Sequence, residues 1–492
     1  MRKIFVITAA IGCISFATGN LVIFAQSNQQ EAKPKVTRVS APTTTVTKSK
    51  FKPTTKLAPF VAKGINWLVK AQNDNGGWGG GSHARQQERD PHAVKTDPAT
   101  TSFATLALIR SGSSLTSGPN QKEVAAAVEY LVKTVEQASD DGPRITDLQG
   151  TQPQSKLGGL VDTTMTTQCL ARVLQDTSDS HALYTRIDKA LDKCIAKLEK
   201  AQKADGSWNV AGGWAPVLQS SNGLQALEMA QASGKQVAPE SIARAREYQK
   251  SKVNVAGRKV AGVGGGAMGA GDAGVELYSF SSGQRGNAVD AAEADKAFED
   301  GKAQGKLAKD AEFTVNNFQK LGFDQKRARE LKDAYERNEN QIKRLNDDNL
   351  LRGFGNNGGE EFVSFLLTSE SMIIAGGDKW DKWNDKMHGL LKKIQNDDGS
   401  WSGHHCITSP VFCTAAVIQC LTVENDTDLL RENAAEPAKK DTGAEKIGAE
   451  KIGAEESAEK SSEVPESSDT NEPSSAAKGT ESTPAASKSD QS

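Results

Sequence analysis

Aromatic side chains are scarce in this chain: Phe, Trp and Tyr together make up 5% of 492 residues, too few to line a large cavity that must steady a cation. Cysteine is scarce too, with six in all. Disulfides are therefore permitted but not demanded, and the five beyond Cys13 (Cys169, Cys194, Cys406, Cys413 and Cys420) are expected to be buried as small apolar side chains. Neither sign of charge dominates, with 60 Lys and Arg against 62 Asp and Glu. After the first 25 residues no apolar run is long enough to span a bilayer. The glycines contain no GxxxxGK and no strand leads into a clean GxGxxG, so a phosphate cradle is not supported.

What charge there is lies unevenly. Met1-Arg2-Lys3 precedes a largely apolar run from Ile4 to Ala25, the basic start and hydrophobic core of an export signal. Residues 1–26 are read as a signal peptide cleaved after Ala25. A retained membrane tether ranks second, and lipidation at Cys13, where Ala10 fits the motif poorly, ranks third. The expected location is periplasmic, cell-surface or secreted. Residues 27–56 carry seven Lys or Arg against one acid without interleaved aromatics, which reads as a flexible linker rather than a nucleic-acid contact. Residues 425–492 carry eight basic against sixteen acidic residues and the phrase GAEKIGAEKIGAE. So few apolar side chains there predict a disordered acidic tail.

Between the tails runs an internal repeat. AQNDNGGW (Ala71 to Trp78), AQKADGSW (Ala201 to Trp208) and IQNDDGSW (Ile394 to Trp401) each place Gln six residues before Trp, pairing Gln72 with Trp78, Gln202 with Trp208 and Gln395 with Trp401. Leu57, Val61, Ile65 and Leu68 lead into the first copy, and Ile187, Leu191, Ile195 and Leu198 into the second, at the same spacing. That is one apolar helical face, repeated. Asn75-Gly76, Asp205-Gly206 and Asp398-Gly399 follow as helix-stopping turns. A decayed copy, Val124 to Val135 followed by Gln137 and Asp141-Gly142, sets the period at about 65 residues. TDPATTSFATLAL and VDTTMTTQCLARVL, opened by Asp97 and Asp162, begin helices at the same interval; Asp there accepts from the free amides of a first turn. Each unit is thus two helices, and residues 257–350, Gly-rich then charged, are read as an insertion.

The Gln-to-Trp phrase closing an amphipathic helix resembles the repeat of squalene and oxidosqualene cyclases and of protein prenyltransferase β subunits. The resemblance covers residues 57–424 apart from the insertion. It implies an all-α fold, an α/α toroid of helical hairpins with an inner ring around a central cavity. The same toroid occurs in thioester domains and polysaccharide lyases, so fold does not fix function. Bacterial squalene-hopene cyclases protonate an alkene from a DxDD motif at the start of an inner helix; here Thr414-Ala415 follows Pro410-Val411-Phe412-Cys413, and DxDD occurs nowhere in the chain. Prenyltransferases hold zinc with Asp, Cys and His, but Asp192 and Cys194 stand before a Gln-Trp turn rather than after one. The thioester Cys-Gly-Glu-Gln has no counterpart in NNGGEE.

If the inner helices aim their N-termini at one mouth, Asp97, Asp162, Glu360, Glu361, His404, His405 and Cys406 meet at its rim. Asp97 and Asp162 are read as caps before catalysts. His404, His405, Glu360 and Glu361 are the weak catalytic candidates. No cofactor is assigned; zinc at His404, His405 and Cys406 is the one metal these side chains would suit. The expected function is an exported, non-catalytic binding or scaffold toroid for a hydrophobic, isoprenoid-like molecule or a protein partner. The rival is a divergent cyclase, prenyltransferase-like or lyase-like enzyme using the His and carboxylate rim.

Overall fold

The computed structural model describes residues 56–210, 212–260, 275–353 and 358–434. The export segment, almost all of the linker and the tail beyond residue 434 lie outside the described residues. Among those described there is no strand, only two isolated bridges, Ser82 with Thr151 and Val253 with Lys259. No described helix is long and apolar enough to cross a membrane.

Among the described residues, twelve helices form six hairpins. The first joins α1 (Pro59–Lys70) to α2 (Pro98–Arg110). The second joins α3 (Gln121–Gln137) through the short α4 (Gln152–Lys156) to α5 (Val161–Asp176). Next come α6 (Tyr184–Ala201) with α7 (Pro216–Ala232), and α8 (Pro239–Lys250) with α9 (Glu276–Ala303). Past the short α10 (Val315–Lys320), α11 (Gln325–Arg344) leads through α12 (Asp348–Leu351) to α13 (Gly359–Ala375); α14 (Trp380–Lys393) and α15 (Pro410–Leu421) complete the set. α2, α5, α7, α9, α13 and α15 pack each on the next, and α15 returns to α2, so the inner helices close a ring. α1 lies on α15, joining the start of the repeat to its end.

The two kinds of helix differ for a physical reason. An outer helix such as α6 buries Ile187, Leu191, Ile195 and Leu198 and leaves its charged side in water. An inner helix is enclosed on every side: α2 and α15 are buried from end to end, and their Thr, Ser and Ala content lets neighbours approach.

The turn at the end of each repeat ties one outer helix to the next. Trp78, Trp208 and Trp401 are fully buried, and their indole N–H groups donate to the carbonyls of Leu68 (2.8 Å), Leu198 (2.8 Å) and Leu391 (2.7 Å). Gln72 Nε2 donates to Gly76 O at 2.6 Å and Glu123 O at 2.9 Å; Gln202 Nε2 reaches Gly206 O at 3.2 Å and Ser241 O at 2.8 Å. Gln395 Nε2 donates at 2.8 Å to both Gly399 O and Phe60 O, and the second bond seals the ring. In the decayed copy, Lys197 of α6 replaces the amide, donating to Ser139 O at 2.6 Å and Gly142 O at 2.8 Å.

Two boundaries differ from the sequence reading. Residues 257–350 do not stand outside the ring, since α9 is its fourth inner helix and α11 packs on α9 from outside. The true excursion is the stretch around α10, held by Phe298, Phe318 and Leu331 in a small core of its own. Nor does the ordered chain stop at 424. α16 (Thr427–Ala434) packs on α7 and α13, burying Leu429, Leu430 and Ala434.

Polar side chains occupy the middle of the ring. Glu370 of α13 accepts from Gln225 of α7 and from Arg110 of α2 (2.9 Å), helices that are not its ring neighbours, so these bonds span the centre. Arg110 also reaches Asp426 at 2.7 Å and Gln419 O at 3.1 Å. Arg172 pairs with Asp176 and lies 3.6 Å from Asp426.

Candidate functional site

At the starts of the inner helices, the residues expected at one rim fall into two separate clusters. In the first, Asp97 is the N-cap of α2: Oδ1 accepts from Thr100 N at 2.8 Å, and Oδ2 from Gly80 N at 2.6 Å and Thr100 Oγ1 at 3.0 Å. Asp162 reaches across to the same helix, accepting from Ala99 N at 3.0 Å, while Gln154 donates to its other oxygen at 2.6 Å. Both carboxyls are buried. Burial, then the charge of Asp162, pushes Asp97 up to about 7; burial likewise raises Asp162. Their amide and side-chain donors make them clamps on the first turn of α2 rather than groups facing a ligand.

The second cluster stands where α9, α13 and the loop before α15 meet. Glu360 Oε2 accepts from Ile407 N at 3.2 Å. Tyr278 at the start of α9 donates its hydroxyl to Glu361 Oε1 at 2.7 Å, and His405 Nε2 lies 4.0 Å from Glu361 Oε2. Burial first, and the neighbouring charge of Glu361 second, push Glu360 up to about 8. Burial beside Glu361 drives the Tyr278 hydroxyl far above its ordinary range. Cys406 follows His405 with φ of 59°, the one non-glycine residue at positive φ among those described. Its thiol is pushed up to about 12 by burial and then by Glu360, the reverse of what a thiolate nucleophile needs.

Of the candidate residues, Glu360, Glu361, His405 and Cys406 come together, whereas His404 faces solvent. Among the described residues no three His, Cys, Asp or Glu side chains are grouped so as to hold a metal ion. The zinc expected of His404, His405 and Cys406 therefore lacks a donor set there: His404 is exposed, while His405 and Cys406 are half-buried beside Glu361 and Glu360. Asp192 pairs instead with Lys235 at 2.8 Å, and Cys194 is fully buried. All five described cysteines are free thiols.

Sequence reasoning missed three residues at this mouth. Tyr278 lies just beyond the Gly-rich stretch. Lys156 ends α4, and its charge acts on Glu360 and Cys406. Trp214 is 60% exposed. A signal for the last was on the page: Trp214, in AGGW, stands outside the Gln-to-Trp phrase.

The model of the squalene-hopene cyclase C-terminal domain matches residues 45–152, which supports the terpenoid cyclase and prenyltransferase kinship read from the repeats. A type II terpene cyclase from Scytonema, solved in complex with geranylgeranyl dihydroxybenzoate as substrate, is 13% identical. That likeness covers 75% of this chain and 97% of the other, with a TM-score of 0.37, too low to bear on the argument. No curated protein matches.

Proposed function

We propose that this terpenoid-cyclase type of toroid serves as a non-catalytic binding or scaffold domain, and that its ligand or protein partner is met at the mouth rather than in the hollow of the ring. One observation carries the reading: the carboxyls at the mouth already accept hydrogen bonds from the fold, Asp97 from Thr100 N, Asp162 from Ala99 N, Glu360 from Ile407 N and Glu361 from Tyr278. A carboxyl so held positions backbone or, for Glu361, the Tyr278 side chain; releasing it to a substrate would leave a buried donor unsatisfied. An isoprenoid chain in the centre is disfavoured for a related reason, because it would displace Gln225 and Arg110 from Glu370 and strand a charge in an apolar medium. Export through residues 1–26 belongs to the same proposal and is checked by fractionating cells that make the full chain.

A second reading, proton-transfer catalysis at the mouth, is favoured by one feature. Glu360, held up to about 8, keeps its proton at neutral pH, as a general acid must. The two readings part in one assay. Purified full-length protein is incubated with squalene and with geranylgeranyl diphosphate, and the extracts are searched for cyclised or transferred products. The binding reading expects no product. Turnover that disappears in Glu360→Gln would overturn it.

A further inference from the structure

Lys156 is only 7% exposed, yet among the described residues its ammonium makes no hydrogen bond and no ion pair. Its near partner is the indole of Trp214, 5.0 Å from Nζ to the ring centroid. Its aliphatic stem is buried, but Nζ is not among the enclosed polar atoms left without a partner, so the ammonium keeps contact with water and can exchange that water for a ligand. The ring face of the tryptophan attracts the charge but takes none of its N–H donors, which stay free for an oxyanion.

Trp214 is unusual in the opposite sense. Among the described residues it is the large apolar side chain left exposed, at 60%, while Trp78, Trp208 and Trp401 are wholly enclosed. It does not hang on a loose loop: Trp214 N and Ala215 N both donate to Lys156 O, at 2.9 and 2.7 Å. Gly213, at φ of 108°, packs so closely on the backbone of Gly158 that a β-carbon would come within 2.7 Å of its Cα. The indole is thus a fixed, open platform with a donor-rich cation against it.

We propose that Lys156 and Trp214 form a subsite for an anionic saccharide, the indole stacking on the C–H face of a sugar ring and the ammonium taking that ring's acidic group. The chemistry follows from the pair. The unused N–H donors call for an oxyanion, and a flat aromatic face open to water suits a ligand whose edges stay solvated rather than an oily one that needs walls on all sides. The surroundings extend the match. Thr151, one residue before α4, borders a cleft of about 370 Å³ also lined by the cations Arg85 and Lys95 and by one acid, Glu88. Lys156 ends α4, roughly 8 Å along a helix from that cleft, so the cations are spaced for more than one acidic unit. The inference rests on the mouth being the ligand-bearing face, and it names the class of ligand.

The test is isothermal titration of the full chain with an oligogalacturonate, a neutral malto-oligosaccharide and inorganic sulfate. The oligogalacturonate should bind, and the neutral sugar should not. Lys156→Gln and Trp214→Ala should each weaken binding by at least about tenfold, and Lys156→Arg should retain most of it. Unfolding curves that superpose on the parent confirm that the variants fold. Absence of binding by the parent chain, equal binding of the neutral sugar, full retention in Lys156→Gln, or sulfate binding alone without help from Trp214 would overturn the proposal. None of these outcomes touches the prenyl-turnover assay, so failure here is distinguishable from failure of the mouth as a non-catalytic site.

Discussion

At the scale of single residues, two glycines separate backbone strain from steric overlap. Gly142 has φ of 73° with nothing within 4 Å of where a β-carbon would sit; Gly206 has φ of 86°, and a β-carbon would overlap the Arg244 carbonyl of α8. Gly142→Ala should cost about 1 kcal/mol from the left-handed backbone alone. Gly206→Ala should cost about 3 kcal/mol or more, because α8 must also move. Urea unfolding of the two variants checks the difference. Glu360 carries a pH prediction. Its carboxyl lies near 8 in the fold against an ordinary value of 4.5, so between those limits the unfolded chain has released a proton that the folded chain keeps. Stability is therefore fully present below 4.5 and falls as pH rises toward 8. Glu360→Gln should flatten that decline in a series of unfolding midpoints; an unchanged slope would place the titration elsewhere. Gln72, Trp78 and their counterparts were legible in the sequence because they recur. Tyr278, Lys156 and Trp214 do not recur, and only the closing of the ring brings them to the mouth.

At the scale of elements, the outer helices were legible and some inner ones were not. α6 shows one apolar face, the signature of a helix that touches the core on one side. α9 shows none, and its Gly283, Gly286, serines and alanines read as loop or exposed helix. The structure supplies the reason: α9 is wrapped by α8, α11 and α13, and a β-carbon on Gly283 would strike Val253, one on Gly286 the α8 backbone. Smallness there is a packing requirement, so Gly286→Val should cost about 3 kcal/mol and raise amide exchange in α8 before α6. The Gln395 bond to Phe60 O joins the last outer helix to the first. Gln395→Ala should cost about 1–3 kcal/mol and accelerate amide exchange in α1 selectively. Uniform acceleration through the ring would mean that this corner is not the seam.

At the scale of the whole molecule, the six hairpins of the described residues close on themselves, and hydrogen-bonded charge crosses the ring toward the C-terminal ends of its inner helices. DxDD is absent from the sequence, which speaks against alkene protonation by that motif and leaves a divergent cyclase as the rival reading. The bonds that cross the ring were not legible, because Arg110, Gln225, Glu370 and Asp426 lie on four separate segments and show no common spacing. The proposed reading, a scaffold that works at its mouth, rests on that network staying closed to an oily chain. Chemical denaturation of Glu370→Ala tests it most directly. A packed, dry centre leaves Arg110 and Gln225 without their partner, and the predicted loss is about 3–5 kcal/mol. A loss below about 1 kcal/mol, the cost of removing a carboxylate that water can replace, would contradict the account by showing that the ring is open.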